Sequence, residues 1–231
     1  MFSWEYMDVP SAKPIHFLHI SKTGGTALKY ALRPHAEALG LQLHDHTVTL
    51  HDIPTGENVV FFVRKPIERF VSGYLSRQRQ GLPRYAQPWS DAERAAFKLF
   101  PTANALAEAL GSPDLALMKA AMEATRVIPQ LDRPLRLWLE SEDYLRSRLD
   151  DILLLGLHER LDNDFTRLRI LLGLPGSAVL PKDDFAAHRA PANADRCLTP
   201  LAAANILAWY VGDGKLFEAC RSIALTTDHL A

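Results

Sequence analysis

Three short apolar runs constrain the fold of this chain more than any other feature. "IHFLHI" (15–20), "VVFFV" (59–63) and "DILLLGL" (151–157) are each five to seven residues long. That is too short for buried helices, and runs without polar alternation suit strands covered on both faces. Helical periodicity follows each of them. "ALKYALRPHAEALG" runs to Gly40 with Pro34 as a kink or early break, and "IERFVSGYLSRQRQG" carries Phe70, Val71, Tyr74 and Leu75 as its apolar stripe. "DNDFTRLRILLGL" has an Asn/Asp start and a Gly173 stop. A further strand is expected at "LQLHDHTVTL" (41–50) from its alternation.

An Ala- and Leu-rich stretch with helix starts at Ser90 and Thr102 is expected to form a helical insertion over about 85–150. "LPKDDFAAHRAPANADR" reads as polar loop, and "TPLAAANILAWYVGDGKLFEACRSIA" as one or two closing helices. Strands alternating with helices predict an α/β fold, a parallel sheet flanked by helices, in one domain spanning 1–231. Ligands on such sheets sit at the carboxyl ends of the strands.

The chain has 231 residues, 48% hydrophobic and 23% charged, with a formal net charge of −1. Nothing in that balance recruits nucleic acid or an anionic membrane, so an anion site must come from local placement of Lys and Arg. Two cysteines without Cys-x-x-Cys spacing argue against a disulfide scaffold and for an intracellular chain. "MFSWEYMDVPSAKP" lacks the basic start and apolar core of a signal peptide, and no apolar run is long enough for a membrane span. The expected location is cytoplasmic.

The loop after the first strand, "SKTGGT" (21–26), leads from strand to helix. Such a turn aims backbone N–H groups at one point, and the helix dipole adds positive charge there. Lys22 supplies a full charge, Thr23 and Thr26 supply hydroxyls, and Gly24 and Gly25 allow close backbone approach. A helix cap with a snorkelling lysine is the structural alternative. The G-x-x-x-x-G-K-[ST] pattern is absent, because here the lysine precedes the glycines. Phosphate holding is therefore expected, magnesium-triphosphate chemistry is not.

A second basic element, "FFVRKPIERFVSGY", repeats the logic at another strand end. Arg64 leaves the strand, and Ser72 lies eight residues on, within the next helix. A guanidinium fork suits a phosphate monoester and Ser72 can donate to the same group, whereas Arg69 could pair with Glu68 or the sheet edge. Alone, Arg64 could equally be a strand-end ion pair. Together the two elements imply a ligand with phosphates at two separate places.

"HISKTGGTAL" resembles the 5′-phosphosulfate loop, and "VFFVRKPIERFVSGY" the 3′-phosphate motif, of sulfotransferases dependent on PAPS (3′-phosphoadenosine 5′-phosphosulfate). The nearest group is the carbohydrate sulfotransferase type 2 family, which includes the heparan sulfate 2-O-sulfotransferases. "LLLGLHERLDNDFTRLRILLGL" (153–174) is similar, more weakly, to the family's Gly-x-x-Glu segment. The family usually has Arg-Asp-Pro where this chain has Arg64-Lys65-Pro66, and residues 85–150 have no counterpart. The resemblance implies a P-loop-like sulfotransferase fold that moves a sulfuryl group from PAPS to a hydroxyl of an acceptor, a saccharide first, without a required metal.

It also implies roles. Lys22, Thr23, Gly24, Gly25, Thr26, Arg64 and Ser72 would hold PAPS, and Arg189, in a late basic loop, is a candidate 3′-phosphate contact or else a solvated arginine. Lys22 would offset charge on the bridging oxygen. On a strand, His44 and His46 would share a face, and the family pattern makes His46 the base and His44 a substrate contact. The same His-x-His could be a metal half-site or surface residues on an edge strand. Arg77, Arg79 and Arg84 could receive an acidic saccharide or solvate a helix end, and Trp89, Trp138 and Trp209 could stack on sugars or fill the core. Two rivals stand beside this reading: a kinase with an atypical phosphate loop, and a nucleotide-binding protein without catalysis.

Overall fold

The computed structural model describes residues 13–226, so most of the N-terminal segment read above for a leader lies outside the described residues. Four strands, β1 (Ile15–Leu18), β2 (Leu41–Leu43), β3 (Asn58–Val63) and β4 (Ile152–Leu157), form one sheet in the order β2-β1-β3-β4. Every pairing is parallel: Phe17 stands opposite Leu43 on one side and Val60 on the other, and Val63 opposite Leu157. Parallel neighbours need crossovers, and helices supply them. Helix α1 (Gly25–Leu32) leads from β1 towards β2, and α2 (Pro66–Gln78) leaves β3. The expected insertion holds α3 (Asp91–Leu99), α4 (Ala103–Ala109), α5 (Leu115–Val127), α6 (Arg136–Leu139) and α7 (Glu142–Ser147). After β4 come α8 (Leu161–Leu171), α9 (Asp184–Ala187), α10 (Pro200–Trp209) and α11 (Asp213–Thr226).

The period of two along each strand divides the core. Phe17, Val60, Phe62 and Leu154 pack with Leu28, Phe165 and Leu168 of α1 and α8. Leu18, Phe61, Val63 and Leu155 pack with Trp138, Phe217 and Cys220 beneath α6 and α11. A third cluster joins Phe70 and Tyr74 of α2 to Phe97, Leu106 and Ile206. Each fully buried side chain of this size contributes roughly 1.5–3 kcal/mol, so the sheet ends are held far more firmly than the loops they carry. Ser90 and Thr102 cap α3 and α4 as their chemistry demands, Ser90 in a reciprocal box with Glu93. Gly173 (φ 62) ends α8.

One open expectation resolves as the early break, and another needs correction. Helix α1 stops at Leu32, and Pro34 lies in a short 3₁₀ turn, Arg33–His35, since proline cannot extend the hydrogen-bond ladder. The strand expected over 41–50 ends at Leu43. The Asp45 carboxylate accepts from the Thr47 N–H (2.8 Å) and hydroxyl (2.6 Å), and Asp52 caps the next turn on Thr49. These local bonds compete successfully with the sheet ladder. Both cysteines are free, Cys197 exposed and Cys220 buried. Among the described residues no helix is long and apolar enough to cross a membrane.

The topology itself selects one place. From β1 the chain crosses to β2 on one side, then returns to β3 on the other side of β1. The direction in which strands are added therefore reverses between β1 and β3, and the loops after these two strands part to open a crevice there.

Candidate functional site

A cavity of about 730 Å³ occupies that crevice. Its walls include Lys22 from the loop after β1, Arg64 from the end of β3, Ser72 on α2, and His46 from the segment after β2. The two basic elements read from the sequence thus reach one space because their strands are neighbours. Arg189 lines it too.

The loop before α1 is shaped by left-handed backbone at Lys22 (φ 65) and Gly24 (φ 90). Alternating handedness of this kind turns successive N–H groups to one side, making an anion nest. No side chain caps α1, and its first turn holds no acid, so the positive end of the helix is left to a ligand. Gly25 and Thr26 line the cavity with Gly24. Gly25 has a steric reason as well: a Cβ there would lie 2.1 Å from the His19 ring. Thr23 is a correction. Its buried hydroxyl donates to the Ile20 carbonyl (2.9 Å) and fastens the loop, so it is not offered to a ligand.

On α2, Glu68, Ser72 and Ser76 recur every four residues and line the cavity, continuing the line begun by Arg64. Arg64 Nε donates to Glu68 Oε2 (3.2 Å), an ion pair that orients the guanidinium while both groups stay part-exposed. The cavity is cationic within a chain of formal charge −1. Lys22, Arg64, Arg84, Arg189 and Arg196 line it against two carboxylates, Glu68 and Asp162. The consequence falls on Lys22, whose ammonium burial, then Arg79 and Arg64, push down to about 7. Burial and Arg64 likewise bring His158 to about 4, and burial with Lys22 and the arginines brings His188 to about 4. An anion placed here would relieve all of them.

His46 is held in one tautomer. Its Nδ1 lies 3.1 Å from the His19 carbonyl oxygen, which can only accept, so the proton sits on Nδ1 and the Nε2 lone pair is bare. Burial depresses its pKa below the ordinary histidine value. The Trp138 indole donates to the His46 carbonyl (3.1 Å), and the His19 ring packs against it at 3.9 Å. His19, which burial pushes down to about 2, stays neutral. A fixed, neutral imidazole with an open Nε2 can accept a proton.

His44 takes a different path, since the strand that would have aligned it with His46 ends one residue earlier. It stacks on His16 (5.1 Å), with His44 Nε2 2.8 Å from His16 Nδ1, while His16 Nε2 meets Glu57 at 2.5 Å. It does not line the cavity, so neither the substrate contact nor a shared metal half-site fits the geometry. No group of three or more His, Cys, Asp or Glu able to hold a metal ion occurs among the described residues.

Other expected residues are equally placed. Arg77 is buried against Glu93 (2.7 Å) and cannot receive a saccharide, whereas Arg84 reaches the cavity wall and donates to the Ala186 carbonyl (3.1 Å). Arg69 pairs with Asp213 (3.1 Å), 144 residues away in sequence, not with Glu68. Trp138 is core, and Trp89 stacks on Phe97 at 4.8 Å. The segment over 181–196, expected as loop but holding the short helix α9, closes one side: His188 meets Ser76 (3.2 Å) and stacks on Tyr85 (5.2 Å), while Arg79 donates to its carbonyl (3.3 Å). Ser76 and His158 were within reach of sequence reasoning, one a helical turn beyond Ser72, the other at a strand end. His19 stood inside the quoted loop motif, yet its part in holding His46 depends on tertiary contact.

Comparison of the chain with protein-family models, with curated proteins and with solved structures finds no match.

Proposed function

We propose that this protein is a PAPS-dependent sulfotransferase acting on a hydroxyl-bearing acceptor, in first place a saccharide. The observation that carries this reading is the convergence of Lys22 and Arg64–Ser72, from adjacent strand ends, on one cavity that also holds His46. The donor set fits a doubly phosphorylated nucleotide: a nest with a lysine, a separate guanidinium with a serine, and a Lys22 pKa near 7 that an anion would restore.

When bound, PAPS supplies the sulfuryl group and departs as adenosine 3′,5′-bisphosphate. The nest at Gly24–Thr26 and Lys22 would hold the 5′ end, and Arg64 and Ser72 the 3′-phosphate. His46 Nε2 takes the proton of the acceptor hydroxyl, with its carbonyl anchored by Trp138 and its Nδ1–H by His19. Lys22 offsets the negative charge that builds on the oxygen released from sulfur. Arg189 closes over the same space from the late loop, its guanidinium also donating to the Pro181 carbonyl (3.3 Å).

Thermal denaturation tests the reading directly. At a hundredfold excess over Kd, adenosine 3′,5′-bisphosphate should raise Tm by about 5–10 °C. AMP, which lacks the 3′-phosphate, should raise it less, and ATP with magnesium should give no larger shift than AMP. A shift confined to ATP-magnesium would replace the reading with a kinase, and no shift with the bisphosphate would end it. Bisphosphate binding without sulfuryl transfer to any acceptor would leave a nucleotide-binding protein.

A further inference from the structure

Five residues other than glycine have positive φ among the described residues, and three of them, Lys22, His188 and Gln130, line the cavity. Left-handed backbone is unfavourable for a residue with a Cβ, and such residues persist where surrounding structure over-determines them, often at ligand sites. Lys22 belongs to the anion nest and His188 to the loop that closes the cavity. Gln130 (φ 84) has no part in either.

The turn that carries it is fastened at several points. The Leu131 carbonyl accepts from the Tyr210 hydroxyl (2.6 Å), and the Leu135 N–H donates to the buried Asp213 carboxylate (2.7 Å). On α2 the turn lies against Gly73, where a Cβ would come 3.0 Å from Leu131 and 3.3 Å from the Gln130 Cβ. Gln130 thus packs on α2 at Gly73, the residue after Ser72, and both Gln130 and Ser72 line the cavity. The same turn continues into α6, whose Trp138 holds the His46 carbonyl, and the Arg133 charge reaches His46. Within the helical insertion, this turn packs on the helix that carries Ser72 and leads into the helix whose Trp138 holds the His46 carbonyl.

The chemistry of Gln130 differs from the rest of the wall. It is the single carboxamide among the described lining residues, and its side chain has no hydrogen-bond partner among the described residues. A neutral group that both donates and accepts is a poor competitor for phosphate beside five Lys and Arg side chains, but it matches a hydroxyl, which also does both. Resting on the sulfotransferase reading, we infer that Gln130 binds a second hydroxyl of the acceptor, adjacent to the one that reacts at His46. It would select vicinal diols, as in saccharides, over acceptors with one hydroxyl.

Gln130→Gly tests this with a built-in control, because glycine accepts φ 84 without strain while losing the carboxamide. The variant should melt no lower than the parent chain and bind adenosine 3′,5′-bisphosphate with unchanged Kd. With PAPS as donor, the parent chain should prefer maltose to 4-nitrophenol. The variant should lose about tenfold in kcat/KM on maltose, the worth of a lost hydrogen bond, and keep its value on 4-nitrophenol. An equal loss on both acceptors, a weakened bisphosphate, a lowered Tm, a parent preference for 4-nitrophenol, or transfer to neither despite bisphosphate binding would each overturn the inference. Failure of the parent chain to bind the bisphosphate is a separate result that defeats the sulfotransferase reading and takes this inference with it.

Discussion

Lys22 and Arg148 are two enclosed cations that the chain treats in opposite ways. Arg148, close to the start of β4, is satisfied on every side: Asp151 at 2.6 Å, the Tyr144 hydroxyl at 3.0 Å, and the carbonyls of Leu50, Ile53 and Pro54. Burial alone would lower its pKa, yet Asp151 and Tyr144 hold it above the ordinary value. Lys22, beyond the opposite end of the sheet, has left-handed backbone, and its own burial, then Arg79 and Arg64, bring it to about 7. A cation that holds the fold comes with its acceptors, and the contrast at Lys22 is what the proposed anion site requires.

Substitution of each by alanine should separate the two roles. Removing Arg148 leaves the Asp151 carboxylate buried without its partner, at a cost of about 3–5 kcal/mol in stability. Urea or thermal denaturation reads that loss directly. Lys22→Ala should leave stability unchanged or higher, since it removes an uncompensated charge, while turnover with PAPS falls about a thousandfold. The comparison fails if Lys22→Ala destabilises the chain as much as Arg148→Ala, because Lys22 would then be structural.

A smaller effect sharpens the contrast within the histidines. His46→Ala should reduce kcat about a hundredfold, the usual worth of one positioned base, and leave bisphosphate affinity close to that of the parent chain. His44→Ala, which disturbs only the His16–Glu57 chain, should lower Tm more than it lowers kcat. The opposite ranking of the two variants in kcat would return the substrate role to His44.

These pairs also mark what the sequence could say. The runs at 15–20, 59–63 and 151–157 were legible because burial on both faces leaves no polar alternation to confuse. Lys22 and Arg64 were legible because strand ends in a parallel sheet converge by topology, so their chemistry needed no knowledge of distant contacts. The segment at 44–49 was not, because Asp45 and Thr47 tie a turn whose strength an alternating pattern does not reveal. Arg77 looked like a free cation until Glu93 met it across sixteen residues of chain, and Arg69, expected to pair with Glu68 or the sheet edge, instead meets Asp213 across 144. Gln130 carried no signal at all, since its position depends on Gly73 and on Tyr210 from α10's far end.

The last test turns on pH and is the most specific to Lys22. In the unliganded chain this amine loses its proton near pH 7, because burial and the arginines oppose its charge. A bound 5′-phosphate would supply the missing counter-charge and raise its pKa, so the complex keeps the proton over a range where the free chain has lost it. Binding above pH 7 must then take up a proton, and affinity for adenosine 3′,5′-bisphosphate should fall by up to about tenfold per pH unit between pH 7.5 and 9. Below pH 7 Lys22 is charged in both states and contributes no slope. The ligand's own phosphates, with second pKa values of about 6, are already dianionic across the upper window and cannot mimic the effect. Calorimetry in buffers of different ionisation enthalpy measures the proton directly, and Lys22→Arg, whose guanidinium stays protonated, should flatten the profile. An unchanged slope in Lys22→Arg would move the titrating group elsewhere and remove Lys22 as the source of the pH dependence.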